Sequence, residues 1–191
     1  MLALANDAPT RFLQRAEALK DTLRSGHTGQ GRRESTAEHS WRLALLALLV
    51  ARDRPELDPV RLLGLCLVHD LGEAVTGDVP APTQRPGDDR ADRERAGLAL
   101  IAQELPDDLQ AFLLDLYDDY TGVRSPEARL ARGLDKCETI LQHLAGDNPP
   151  GFDHGFNLHY GKDRTDADPL SAALRARIDA MTHQAIAARK D

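Results

Sequence analysis

An ionisable pair, His69-Asp70, follows directly after an apolar run over residues 62–68, and no other feature of the sequence restricts the fold as strongly. Apolar runs are usually buried, and a buried charge costs several kcal/mol unless it is paired or binds a metal. The carboxylate of Asp70 therefore needs a partner from another part of the chain. The rest of the sequence offers two candidates, His39 and Asp135.

The composition favours helices. Ala, Leu, Arg, Asp and Glu are abundant, aromatic residues make up 4% of the chain, and no strict apolar/polar alternation is long enough to indicate a strand. A length of 191 residues suggests one domain over 1–191, with a core over about 8–146 and a C-terminal loop and helix over about 147–191. We therefore predict an all-α bundle of about six to seven helices.

The apolar spacing and the capping signals set approximate helix limits. Ser35 and Glu38 fit a capping box, and Pro59 and Pro126 suit the first turn of a helix. Segments 25–33, 80–89 and 152–167 are predicted to be loops. The predicted helices cover about 8–23, 36–52, 59–74, 88–104, 107–120, 126–145 and 168–189.

Charge and cysteine content narrow the classes of partner. The net charge of −7 argues against a nucleic-acid polymer or an anionic membrane as the main partner. No apolar run approaches the roughly 18 residues of a membrane span, and the first nine residues do not resemble a signal peptide. Cys66 and Cys137 lack CxxC spacing and are predicted to be small core residues. We expect a soluble cytoplasmic protein.

Helical geometry indicates how the ionisable residues would meet. His69 and Asp70 would point about 100° apart on a helix, so they can converge only in a groove between helices. Further ligands must then come from other helices, as His39 and Asp135 would. Two imidazoles and two carboxylates suit Mn, Fe, Co or Zn, and such an ion lowers the pKa of bound water. The alternative is a hydrogen-bonded His69-Asp70 pair that joins two helices.

Four blocks of sequence, in order, resemble a known family. They cover 35–39 (STAEH), 68–73 (VHDLGE), 76–78 (TGD) and 134–138 (LDKCE). Together they resemble the HD-domain metal-dependent phosphohydrolases, and within them the YfbR-like 5′-deoxynucleotidases with their HD-domain-containing-2 relatives. The resemblance implies an HD-domain helical bundle, hydrolysis of deoxynucleoside 5′-monophosphates to nucleoside and phosphate, and a homodimer.

The resemblance also implies roles for individual residues. One divalent metal ion (Mn, Co, Fe, Zn or Mg) would be held by His39, His69, Asp70 and Asp135. Glu73 would be the general acid/base, and Asp78 would contact the sugar hydroxyl and help to position the attacking water. Arg24 would bind the phosphate.

The chain departs from the family near that arginine. The family has a tryptophan there that helps to reject ribose, whereas this chain reads Arg24-Ser25-Gly26-His27. His27 is the nearest ring, so the choice between ribose and deoxyribose stays open. Arg32 and Arg33 are further candidates for phosphate binding.

Simpler interpretations stay open for single residues and for the activity. Asp78 could be a turn residue, and Arg24 could cap a helix. A nucleoside triphosphate triphosphohydrolase, another small phosphomonoesterase and a non-catalytic nucleotide-binding module are the alternative functions. The intact Glu73 argues against the last of these.

Overall fold

The computed structural model describes residues 7–85 and 87–188, which form a helical bundle with one two-stranded sheet, and it confirms the all-α prediction. The two strands are β1 (Leu23–His27) and β2 (Arg33–Ser35), and short 3-10 helices cover Glu17–Lys20, Ala81–Thr83 and His154–Leu158. The α-helices are α1 (Ala8–Ala16), α2 (Thr36–Ala51), α3 (Pro59–Val68), α4 (Glu73–Thr76), α5 (Arg90–Ala102), α6 (Asp107–Gly122), α7 (Pro126–Ala145), α8 (Lys162–Thr165) and α9 (Pro169–Ala188).

The capping signals are confirmed. Ser35 caps α2, with its side chain accepting from the Glu38 backbone N–H and the Glu38 carboxylate accepting in return. The prolines predicted in the first turns of α3 and α7 are found there, and these helices are capped by Asp58, which accepts from two backbone N–H groups, and by Ser125, neither of which was predicted as a cap. The caps of α2 and α7 therefore fix where the helices that carry His39 and Asp135 begin.

The first helix is shorter than predicted, and the segment predicted to be a loop over 25–33 is largely a hairpin. The chain leaves the helical path after the 3-10 helix, and β1 pairs antiparallel with β2 through Leu23↔Ser35 and His27↔Arg33. Leu23 is 43% exposed, so its helical spacing did not reflect burial. Strands form by pairing with another segment of the chain, and the spacing of apolar residues within one segment does not predict that pairing.

The predicted third helix, 59–74, was also wrong in its second half. Helix α3 ends at Val68, and residues 69–72 form a tight turn before α4. Gly72 packs directly against α5, since an added Cβ would lie 2.0 Å from the Glu94 carbonyl oxygen. This close contact holds the turn that carries His69 and Asp70.

Helix α7 lies at the centre of the bundle and contacts α2, α3, α6, α8 and α9. Leu130, Leu134 and Ile140 are fully buried on it, and the two cysteines are free and, as predicted, buried. The segment predicted as a loop over 152–167 contains a 3-10 helix and α8. Ile178 of α9 packs on Cys137 and Ile140. The predicted end of the last helix, residue 189, lies outside the described residues.

In the described part of the chain, none of the helices combines the length and the apolar character needed to cross a membrane.

Candidate metal centre and its cavity

Three elements bring the four predicted ligands together. His39 lies in the first turn of α2, His69 and Asp70 lie in the turn after α3, and Asp135 lies on α7. Ligand atoms of His39, His69 and Asp70 lie within 4.8 Å of one another. The Nε2 atom of His39 lies 3.3 Å from Asp135 Oδ1, and Nε2 of His69 lies 3.1 Å from Asp70 Oδ2.

Both imidazoles are oriented by hydrogen bonds at the opposite nitrogen. His69 Nδ1 donates to the Cys66 carbonyl oxygen at 3.0 Å, and His39 Nδ1 lies 2.5 Å from the Glu138 carboxylate. When Nδ1 carries the proton, Nε2 has a free lone pair, and a histidine in this tautomer can bind a metal through Nε2.

The donor set fits a cation. Both Nε2 atoms are buried and make no hydrogen bond to any of the described residues. In the neutral ring each Nε2 atom is a hydrogen-bond acceptor. Because the carboxylates of Asp70 and Asp135 that they face are also acceptors, no hydrogen bond can form between them. A divalent ion, or protonation of the rings, would satisfy this arrangement. Metal-binding histidines in proteins typically have the same carboxylate or carbonyl partner at the second nitrogen.

Asp135 has two further partners. Its Oδ2 accepts from the Tyr120 hydroxyl at 2.6 Å and lies 2.8 Å from Lys136 Nζ. Burial opposes its ionisation, but Lys136 and His39 hold its pKa well below the usual range. Asp135 is therefore ionised with Oδ1 directed toward His39. Neither Tyr120 nor Glu138 was among the predicted site residues, although Glu138 lies one turn after Asp135.

Arg24 links the hairpin to this centre. Its Nη1 lies 3.1 Å from Asp70 Oδ2, its Nη2 donates to Thr139 at 3.2 Å, and its Nε lies 3.8 Å from Glu34. Burial opposes its charge, but Asp70 and Asp135 raise the pKa of its guanidinium above the usual value. The structure thus places a fixed positive charge beside Asp70, and it does so from a strand, not from a helix end.

Glu73 and Asp78 line the same cavity as Arg24. Burial, followed by the charges of Asp70 and Asp78, raises the pKa of Glu73 well above its usual range, and the Thr36 hydroxyl donates to its carboxylate at 3.1 Å. Burial also raises the pKa of Asp78. Burial opposes the ionisation of Asp70, but His69 and Arg24 hold its pKa below the usual range. The site therefore combines ionised Asp70 and Asp135 with Glu73, a carboxyl group that retains its proton.

The other three predicted substrate residues have different neighbours. The His27 carbonyl accepts from the Gln142 amide at 2.6 Å, next to the close backbone contact at Gly146. Arg32 is exposed and forms an ion pair with Glu38. Arg33 donates to the Arg24 carbonyl at 2.8 Å. In the described chain, the residues lining the large cavity beside the centre do not include these three side chains.

A cavity of about 450 Å³ opens beside the centre. One part of its lining is the segment 79–84, and another is an aromatic group formed by Phe152, Phe156 and Tyr160. The rings of Phe156 and Tyr160 stack with centroids 5.4 Å apart. Sequence reasoning missed this aromatic group, although its i, i+4, i+8 spacing is a helical signal.

Comparison with known proteins agrees with this architecture. The family model described as "HD domain" matches residues 16–175, so the chain belongs to the HD domain family. The resemblance noted from the four sequence blocks is confirmed.

Individual relatives are more specific in their names. Human 5′-deoxynucleotidase HDDC2 is 35% identical over 134 residues, which cover 69% of this chain and 65% of that protein. The mouse protein of the same name is also 35% identical, with coverage of 69% and 66%. The chain therefore spans slightly less than two thirds of these relatives. A crystal structure described as a predicted metal-dependent phosphohydrolase from Magnetospirillum magnetotacticum MS-1 superposes with a TM-score of 0.76, at 28% identity and 94% coverage of both chains.

Proposed function

We propose that this chain is a metal-dependent phosphomonoesterase that hydrolyses nucleoside 5′-monophosphates, most readily deoxynucleotides, to nucleoside and phosphate. The observation that carries the proposal is the pair of buried, unbonded Nε2 atoms that face two carboxylates at the end of a nucleotide-sized cavity. The names of the 35% identical relatives support this substrate class.

His39, His69, Asp70 and Asp135 would hold the ion. A divalent ion bound there would act as a Lewis acid toward the phosphoryl group and would supply a nucleophilic water near neutral pH. The N/O donor set does not select among Mn, Co, Fe, Zn and Mg, so the metal's identity is decided by availability.

Three side chains of the cavity have distinct tasks in this proposal. The guanidinium of Arg24, held by Asp70 and Thr139, is placed to neutralise charge on the phosphate. Glu73 keeps its proton at neutral pH because of burial and nearby carboxylates, which suits donation to the leaving 5′-oxygen. Asp78 is placed to accept a hydrogen bond from a sugar hydroxyl.

The substrate residues can now be ranked. Arg24 contacts the centre directly, whereas Arg32 and Arg33 are engaged with Glu38 and with backbone carbonyls. We therefore favour Arg24 over Arg32 and Arg33 for phosphate binding. His27 is tied to the end of α7 through its carbonyl, which favours a structural role.

A panel assay tests the proposal. Phosphate release is measured from deoxy- and ribonucleoside 5′-monophosphates and the matching triphosphates, with Mn, Co, Mg, Fe and Zn added separately. We expect release from the deoxynucleoside monophosphates with at least one metal. Silence across the whole panel would refute the enzyme proposal and leave the nucleotide-binding module as the alternative.

We also retain the homodimer and the cytoplasmic location as proposals. Trp41 is 59% exposed, and Leu45 and Leu49 are exposed on the same face of α2. An apolar face of this kind supports self-association. Light scattering after gel filtration tests it, and a monomer at assay concentration would exclude it.

A further inference from the structure

A second, smaller cavity meets the large one at the metal centre. It has a volume of about 210 Å³, and both cavities are lined by Asp70, Asp135 and Lys136. A third cavity of about 180 Å³ shares Arg132 and Arg164 with the second. We call the space around these two guanidinium groups the arginine cleft. It is lined by residues of α7 and α8 and shares Tyr160, but neither Phe152 nor Phe156, with the large cavity.

The cations of the second cavity differ in their pairing. Arg90 lies 2.9 Å from Glu94, and Lys136 lies 2.8 Å from Asp135, so both have a carboxylate partner. Within the described residues, 7–85 and 87–188, neither Arg132 nor Arg164 has a carboxylate oxygen at 4.0 Å or less. Asp163 lines the cleft beyond that distance. Two guanidinium groups thus face the cleft without a direct counter-charge.

Arg132 also has unused hydrogen-bonding capacity. Its Nη1 donates to the Thr121 carbonyl at 3.1 Å, whereas its Nε is buried with no partner among the described residues. Burial, followed by repulsion from Arg164, lowers the pKa of Arg132. Arginine nevertheless stays protonated in proteins, so the pair meets as two like charges. An oxyanion between them would remove the repulsion and accept the free N–H group.

We propose that the arginine cleft is a binding site for a phosphate oxyanion, held by Arg132 and Arg164. The guanidinium group matches phosphate through paired N–H donors, which a lysine does not provide. The large cavity, lined by prolines and aromatic rings, suits a nucleoside, whereas Arg132 and Arg164 line only the smaller cavities that meet it at Asp70 and Asp135. Its role in the reaction rests on the proposed function, but the anion site itself rests on the cleft.

Two sources could supply this phosphate. One is the orthophosphate product, which would leave through the cleft while the nucleoside leaves through the large cavity. The other is the outer phosphates of a nucleoside triphosphate, whose first phosphate would lie at the metal centre. Both require the same chemistry at Arg132 and Arg164.

Calorimetric titration of orthophosphate into the full chain tests the site, with and without added Mn²⁺ and at constant ionic strength. We expect Arg164→Gln to weaken orthophosphate binding about tenfold or more, which is the usual effect of losing a charge-assisted hydrogen bond. Arg132→Gln should act in the same direction. Arg177→Gln, on an exposed position of α9, is the matched control and should leave the affinity unchanged.

Circular dichroism melting shows whether each variant is folded, and if Arg132→Gln unfolds, Arg164→Gln decides alone. Unchanged orthophosphate affinity in the folded variants would overturn the site. A chain without phosphatase activity whose orthophosphate binding still depends on Arg164 would refute the proposed function and leave the cleft in place. An active phosphatase whose orthophosphate binding does not depend on Arg164 would support the proposed function and refute the cleft as a phosphate site.

Binding of a non-hydrolysable deoxynucleoside triphosphate distinguishes the two sources. If Arg164→Gln weakens the triphosphate analogue but not the monophosphate, the cleft holds the outer phosphates of a substrate. If it weakens orthophosphate alone and relieves product inhibition, the cleft is the exit for the product. Either result supports an oxyanion site.

Discussion

The metal centre and the aromatic side of the large cavity are built in different ways. The centre takes His39 from α2 and Asp135 from α7; the buried Glu138 carboxylate orients the first and the half-buried Tyr120 hydroxyl the second. The cavity lining takes Phe152, Phe156 and Tyr160 from short, irregular elements, where contacts are mainly between rings. The first region sets the position of charge, and the second offers shape and apolar surface.

We therefore expect the chemistry to depend on the metal centre and the substrate selectivity to depend on the aromatic lining. Substitution of a buried, hydrogen-bonded polar group costs much free energy, because it leaves a buried charge or acceptor without its partner. Aromatic lining tolerates change at the cost of affinity. Substitutions in the two regions should therefore separate turnover from substrate binding.

The largest effect is expected from Asp70→Ala. Loss of this carboxylate removes one metal ligand and the carboxylate that lies 3.1 Å from Arg24, so metal content should fall to background and kcat/KM should fall by about a thousandfold or more. Metal analysis and the phosphate-release assay measure both. Asp92→Ala, an exposed carboxylate on α5, is the control. Full activity of Asp70→Ala would contradict the assignment.

Glu73→Gln should lower kcat by about 100- to 1000-fold, because proton transfer contributes on this scale. The amide keeps the shape of the carboxyl group and the contact with Thr36. Metal content should stay at the wild-type level, which separates this variant from Asp70→Ala. Turnover close to wild type would show that Glu73 handles no proton in the reaction.

Glu34→Gln tests whether the buried carboxyl group of Glu34, which lies 3.8 Å from Arg24, has a raised pKa. Burial raises the pKa of Glu34 from 4.5 to about 7. Between these values the folded state binds more protons than the unfolded state, so the contribution is complete below pH 4.5 and is lost as the pH rises through 7.

The wild type should therefore lose about 2 kcal/mol of stability between pH 5 and pH 7 relative to Glu34→Gln. Urea unfolding at several pH values measures this difference. Parallel pH profiles for the two proteins would show that the carboxyl group of Glu34 titrates normally.

The smallest effect is expected on the aromatic side. Phe156→Ala should raise KM for a nucleoside monophosphate about tenfold, the usual range for loss of a base-stacking ring, with kcat nearly unchanged. Phe112→Ala, a half-exposed ring on α6, is the control. If kcat falls instead of KM rising, the aromatic group positions the reacting centre, and the contrast between the two regions fails.

Much of the site could be predicted from local sequence. The spacing of His69, Asp70 and Glu73 after an apolar run, with His39 behind a capping box, is a local signal. The structure changed the geometry, because α3 ends at Val68 and a turn held by Gly72 carries the pair. The hairpin that carries Arg24 was missed, because neither of its short strands shows the apolar/polar alternation that predicts a strand.

Residue type and short-range spacing were enough to predict the helical class, the capping box of α2 and the prolines that open α3 and α7. The histidines and carboxylates of the centre stay a prediction, made from the order of four sequence blocks. Contacts between elements, in contrast, decided that Arg24 and not Arg32 or Arg33 contacts Asp70, that side chains from residues 152–160 line the cavity, and that Arg132 and Arg164 form a cleft. Those relations join separate elements, and their physical basis is packing between elements, which local propensity does not encode.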